Sequence, residues 1–367
     1  RVLYTREGRD ASSAEYARAT ADALEEVYAA QMQLGFAPPP RDADGRYRAY
    51  IADARGSMGY MKPVQIVFDN PNTPNLRERV AARGIFVIDN DFSGMGKKAS
   101  PESLMRATAT HEFNHVVQHG YDSEEGLNWM YEATASWIET VTVGADQDAT
   151  GYVSKDFGAP ELCWTTNTAG HNYAQWTLLQ SLADRHGQEI VVALWRSAVR
   201  YDGFETMSRT LADVGATIPD ALRRWRVQNF ARDYALAPQI EGAVALAGTI
   251  NRNGAWSAAG GVQELGANYV RVALQGPRHY ALRGEGDLEM TGLGLREGRV
   301  DVVPLGRGGV FDASRYQYSA LMVFNRAMPD APGACSDARY SINVTPTSGA
   351  MARPQERFDA SHFLPPS

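Results

Sequence analysis

ATATHEFNHVVQHGYDSEEGLNWMYEATASWIE, residues 107–139, is the stretch from which the rest of the chain is best read. On a helix, side chains four residues apart lie one turn above each other, so His111 and His115 project two imidazoles from one face. Glu112 sits about 100° round the same helix, beside the ligands without being one. This is the HExxH arrangement, two neutral histidines for zinc and a carboxylate near the metal's water. Catalytic zinc takes a third protein ligand and leaves a position for water. The long HExxHxxGxxH pattern is excluded, because Gln118 and Tyr121 occupy its Gly and third His positions. His119 is only one turn past His115, too near to close a tetrahedron with it. Asp122 stays open as a ligand, and Glu124 and Glu125 follow too closely. Glu132 is the better candidate: it lies in a second helical stretch, after the break at Gly126, that is long enough to pack back on the first. Glu139 falls two turns later on the same face, as a support for the ligands or a surface charge.

With HEFNHVVQHGYD and WMYEATASWIE in view, the chain resembles the gluzincin-type metallopeptidases, whose third ligand is a Glu on the next helix. It is similar, more narrowly, to predicted secreted bacterial metalloproteases with HEFxHxxQxGYD and WxxExTAxWxE signatures. The likeness takes in Val2-Leu-Tyr-Thr5, the 23–36 helix, IFVIDNDF at 85–92, residues 173–187 and the β-rich tail. It departs at Asn114, where a second aromatic is expected. The resemblance implies zinc held by His111, His115 and Glu132, with Glu112 as general base. It also implies an oxyanion donor beyond the third ligand, Tyr173 first and His171 second. A strand edge beside the active-site helix should pair with extended substrate, and residues 85–92 are the candidate for it.

Composition sets outer bounds. A chain of 367 residues with 44% hydrophobic content can bury a sizeable core, in two domains. A net charge of −7 without a long basic run argues against a nucleic-acid partner. No apolar stretch approaches the ~20 residues that span a bilayer. Beginning at Arg1 with no signal-type apolar segment, the sequence reads as a processed or trimmed secreted product, with a cytosolic fragment as the alternative. Cys163 and Cys335 are the two cysteines, one in each expected domain; a cross-domain bridge is an open expectation.

Along the chain, Ser12 or Ser13 caps a helix reaching Gln33, which Gly35 and the prolines at 38–40 end. A turn at Asp42–Gly45 leads into a strand over 47–52, turn chemistry being favoured over a metal site at Asp42 and Asp44. Runs 64–68 and 85–88 read as buried strands, with a helical turn over 76–83 between them. Asp89, Asn90 and Asp91, before Gly94 and Gly96, could bind calcium, though Asx turn chemistry suits them better. Ser100 and Pro101 fit the start of the HExxH helix. After Gly144–Thr150 an irregular run to about Gly170 is long enough to wall a cleft. Helices follow over 173–186, 188–199, 204–214 and 218–235.

Near Pro238 the composition turns to Gly and β-formers. Strand patterns at 269–274, 279–283, 299–305, 318–324 and 340–345, parted by Gly-rich turns, suggest a β-sandwich. The expected architecture is thus α+β: a gluzincin-like zinc peptidase domain over 1–240, then a β-sandwich over 241–367 that takes a glycan or protein ligand or stabilises the enzyme. The expected function is a secreted zinc endopeptidase acting on protein or peptide substrates. A zinc amidase or aminopeptidase would use the same constellation, and a catalytically silent extracellular binding protein on this scaffold is the alternative of another class.

Overall fold

The computed structural model describes residues 1–93, 95, 99–144, 147–167 and 170–366. Gly94 and Gly96 of the expected calcium loop lie outside them. The fold is α+β. In chain order it begins with β1 (Val2–Leu3), α1 (Ala14–Gln33), β2 (Arg48–Ala52), β3 (Gly59–Phe68), β4 (Ala81–Asp89), α2 (Pro101–His119) and α3 (Trp129–Thr142). Helices α4 (Val153–Gly158), α5 (His171–Ala174), α6 (Trp176–His186), α7 (Glu189–Ala198), α8 (Phe204–Asp213) and α9 (Ile218–Ala231) follow. The remainder is strands: β5 (Leu246–Ile250), β6 (Gly254–Ser257), β7 (Val262–Gln263), β8 (Ala267–Val272), β9 (Arg278–Gly284) and β10 (Leu288–Arg296). They continue through β11 (Arg299–Gly306), β12 (Gly308–Phe311), β13 (Tyr318–Asn325), β14 (Asp337–Ala338), β15 (Tyr340–Pro346) and β16 (Glu356–Asp359). Among the described residues no helix is long and apolar enough to cross a membrane.

The chain divides into two compact units, one of residues 1–149 with 182–215, the other of 150–181 with 216–367. This packing differs from the expected spans 1–240 and 241–367, since 150–181 and 216–240 go with the strand-rich half.

In the first unit the strand order is β1-β2-β4-β3, with β2 parallel to β4 and β3 antiparallel to it. Helix α2 starts where the sequence indicates: Ser100 Oγ accepts from Ser103 N at 3.1 Å, and Pro101 needs no N–H in the first turn. It lies against β3 and β4 and against α1 and α3. Phe113, inside the HExxH sequence, anchors it, with its ring 5.5 Å from Tyr47, 6.0 Å from Tyr28 and 6.2 Å from Phe86. Behind α3, Trp195 of α7 donates to Thr134 Oγ1 at 3.1 Å.

Three expectations here are corrected. Residues 85–92 do not offer an open edge, because β4 is paired on both sides. The sheet ends in the short β1 on one side and in β3 on the other, so the edge next to β4 is β3. Residues 64–68 belong to that edge and are not buried: Val64 is 49% and Phe68 66% exposed. Residues 81–83 extend β4 rather than forming a helical turn; β4 reaches back to Ala81, where small Ala81 and Ala82 are fully enclosed.

In the second unit the sheets run β16-β11-β10-β13-β8-β5 and β12-β9-β15-β6, with a β14-β7 pair. One apolar cluster draws from both larger sheets, including Val270, Leu321 and Val323 from one and Tyr280, Ile342 and Val344 from the other. Helix α9 is tied in by polar bonds: Trp225 donates to Thr177 Oγ1 at 2.9 Å, and Arg226 pairs with Asp156 of α4 at 2.8 Å. The 150–170 run is less irregular than expected, since α4 occupies part of it; Thr168 and Ala169 lie outside the described residues. The helix expected over 173–186 is divided at Gln175, whose Nε2 is drawn to the Trp164 carbonyl.

Cys163 and Cys335 form a disulfide. Both belong to the second unit, so the bridge does not join the two units as expected, although the chain between its ends passes through residues 182–215 of the first.

Candidate metal centre

Helix α2 presents His111 and His115 with ring centroids 4.8 Å apart, and α3 brings Glu132 to them. Glu132 Oε2 is 3.1 Å from His111 Nε2 and 3.5 Å from His115 Nε2. One ligand atom from each of the three lies within 4.8 Å of the others, the group of metal-capable side chains found among the described residues. The sequence spacing is thereby realised in three dimensions, Glu132 included. Asp122, left open as a ligand, is turned to other work: its carboxylate accepts from Glu124 N at 2.8 Å and its carbonyl from Tyr131 Oη.

Each histidine is backed by an acceptor on its far nitrogen. His111 Nδ1 is 2.8 Å from Glu139 Oε1, and Glu139 Oε2 accepts from Asp148 N at 3.1 Å. His115 Nδ1 is 2.8 Å from Gln118 Oε1. Such outer partners fix ring orientation and raise ligand basicity. Glu139 is the supporting residue that the helical spacing anticipates; Gln118 was not singled out, although its position three residues after His115 is a usable signal.

The electrostatics suit a cation. Burial alone would lower the pKa of His111, but the carboxylates of Glu132 and Glu139 outweigh it and hold the ring above its usual value. His115 is raised for the same reason, Glu132 outweighing burial. Burial would raise Glu132, yet His115 and His111 bring it well below the carboxylate range. The carboxylate of Glu132 thus favours the charged form of both rings, in the place where a divalent ion would compete with their protons. His119, one turn on, is different: burial and the neighbouring His115 bring it down to about 3, leaving it neutral beside Tyr131, whose ring is 5.1 Å away.

Glu112 is 7% exposed, and its Oε2 has no hydrogen-bond partner among the described residues. Burial raises its pKa, with His115 and His111 pulling the other way. A buried carboxylate oxygen without a donor costs free energy unless a ligand or water meets it. The donor set of two imidazoles and a carboxylate, with an orphaned carboxylate alongside, fits zinc with a water-bearing position. Gly59, the first residue of β3, abuts this carboxylate: a Cβ there would come 3.1 Å from Glu112 Cγ and 2.6 Å from Thr108 Cγ2.

His171 and Tyr173 are in α5 of the second unit; His171 is buried, which lowers its pKa, and Tyr173 stacks on Tyr152 at 4.8 Å. At the expected calcium turn, Asp89 accepts from Ala54 N, Asp91 N and Phe92 N, and Asn90 Nδ2 donates to the carbonyls of Arg9 and Ala11. Those side chains serve the backbone, as turn chemistry expects. Asp42 likewise pairs with Arg48 at 2.6 Å and Arg83 at 3.3 Å.

A model of a family of unknown function, DUF6055, matches residues 21–275 of the chain. The chain belongs to this family. The DUF6055 span contains α2 and α3 entire, hence His111, Glu112, His115, Glu132 and Glu139 together. A comparison with curated proteins found no match.

Proposed function

We propose that this chain is a secreted zinc-dependent endopeptidase of gluzincin type. The observation that carries the reading is the convergence of His111, His115 and Glu132 within 4.8 Å, beside the buried and unpartnered oxygen of Glu112. When bound, zinc supplies an acidified water and a Lewis acid for the scissile carbonyl. Glu112 then takes the proton of the attacking water and delivers it to the leaving amine. Glu139 and Gln118 hold the two rings in line. The role of oxyanion donor, Tyr173 before His171, rests on the resemblance alone.

A polypeptide substrate is favoured by the open β3 edge, which starts against Glu112 at Gly59 and carries Tyr60, Val64, Ile66 and Phe68 exposed. An extended chain can add to such an edge through main-chain hydrogen bonds, with side chains resting on the apolar row. The strand-rich part of the second unit fits an accessory β-sandwich, and the Cys163–Cys335 bridge suits an oxidising compartment.

Metal analysis and proteolysis test the reading together. Purified protein should hold about one zinc per chain and cleave denatured casein, and a chelator should stop it. His115→Ala should lose both zinc and cleavage. Stoichiometric zinc surviving in that variant, or zinc-loaded protein inert toward every unfolded substrate, would defeat the proposal.

A further inference from the structure

Three amides that no solvent reaches stand in line behind His115. Gln31, Asn114 and Gln118 are each 0% exposed, and they come from α1 and α2. The orientation of an amide is ambiguous until one of its partners can only donate or only accept. Here both ends of the line meet backbone carbonyls, which only accept. Gln31 Nε2 donates to Thr110 O at 3.0 Å, so Gln31 Oε1 faces onward and accepts from Asn114 Nδ2 at 3.0 Å. Asn114 Oδ1 therefore accepts from Gln118 Nε2 at 2.6 Å. The second proton of that Nε2 goes to Tyr131 O at 2.8 Å, so all its donors are spent. Only Oε1 of Gln118 remains to face His115 Nδ1, 2.8 Å away.

We infer that Gln31, Asn114 and Gln118 form a positioning relay that keeps a proton on Nδ1 of His115 and presents its bare Nε2 to the metal. The inference rests on the zinc reading above for its purpose, though not for its geometry. Reversing any one amide would set NH₂ against NH₂ or oxygen against a carbonyl, in a place where water cannot compensate. The ring nitrogen that points at Glu132, 3.5 Å from its Oε2, is the one the relay leaves for a ligand. His111 needs no such line, because a carboxylate, Glu139, only accepts. The Asn at position 114, where an aromatic is expected, is thereby explained: it is the middle link, joining α1 to the ligand helix.

The test reads the ring protons of His115 by long-range ¹H–¹⁵N spectra of ¹⁵N-labelled protein, zinc-free and zinc-loaded, with zinc affinity measured by chelator competition. In the wild type Nδ1 of His115 should carry a proton in both states. Gln118→Met should weaken zinc binding roughly 10–100-fold, the scale for losing an outer partner of a metal ligand, and expose that proton to exchange. Gln31→Met, whose native side chain bonds Thr110 O and Asn114 rather than His115 or Gln118, should act in the same direction more weakly. An unprotonated Nδ1 in the wild type, or wild-type zinc affinity in both folded variants, overturns the relay. If the variants do not fold, the wild-type spectrum decides. If the wild type takes up no zinc, the metal reading falls, while a protonated Nδ1 hydrogen-bonded to Gln118 still upholds the relay.

Discussion

Helix α2 and the strand cluster of the second unit are both deeply buried, and they use that burial in opposite ways. Along α2, Thr108, Thr110, Glu112, Asn114, His115 and Gln118 are all enclosed. In the strand cluster the enclosed side chains are Val, Leu, Ile, Met and aromatic residues from both larger sheets. Apolar burial contributes stability roughly in proportion to area and tolerates rearrangement. Polar burial gives little net stability unless every group is partnered, but it dictates direction. Three buried polar atoms on α2, Thr108 Oγ1, Glu112 Oε2 and His119 Nδ1, have no hydrogen-bond partner among the described residues, and Glu112 is the carboxylate of the three. Burial in one region secures the fold, and in the other it aims atoms.

Perturbing each region separately should separate the two uses. The largest effect is expected at Glu112. Glu112→Gln keeps shape and zinc but removes the base, so turnover should fall by about 10²–10⁴; unchanged turnover with zinc bound would mean that another group activates the water. In the second unit the disulfide comes next. Cys163 and Cys335 are 172 residues apart, so breaking the bridge should lower stability by up to about 5 kcal/mol on loop entropy. Urea unfolding of the Cys163→Ser/Cys335→Ser protein measures it, and an unchanged midpoint would assign the hold to packing. Leu321→Ala should cost about 2–5 kcal/mol through transfer and cavity energy, yet leave zinc content as it was. Zinc loss on that substitution would erase the contrast between the regions.

The smallest effect concerns pH. Burial lifts Glu125 from 4.5 to about 7, while Leu127 N, Gly203 N and Thr206 Oγ1 bond its carboxyl and Asp202 adds negative charge. The folded state therefore keeps a proton, between about 4.5 and 7, that the unfolded chain has released. Its contribution to stability is complete below that window and is lost as pH rises through it. Melting the zinc-loaded protein across pH 5–8 should show the decline, and Glu125→Gln should flatten it; identical slopes would remove Glu125 as the source.

Much of the site was legible because its signals are local. Two histidines four apart, a cap at Ser100, Pro101 and a second helix after Gly126 are all short-range statements, and each is realised. What failed was tertiary. Pro63 is a local sign in residues 59–68 that β3 is an edge, since a proline cannot donate to a ladder, but whether a strand is enclosed depends mainly on what lies beside it. Strand β10 is absent from the sequence reading; in it Gly292 and Gly294 make room for the rings of Phe311 and Tyr316, 2.9 and 2.5 Å from where their Cβ atoms would be. Gln31 could not be marked at all, being 83 positions from the asparagine it serves. That Cys163 and Cys335 could pair was an open expectation, and that they share a unit was not foreseen.

An open β3 edge has a consequence for how the molecule behaves in a crowded solution. Rows such as Val64, Ile66 and Phe68 invite other copies to stack, and a strand that welcomes guests risks fibrillation. Lys62 and Pro63, both exposed, interrupt the row near its middle. Two copies laid head to tail about that point would oppose ammonium to ammonium and find no N–H on either proline. An exposed lysine and proline in an edge strand are the kind of interruption that works against an endless ladder.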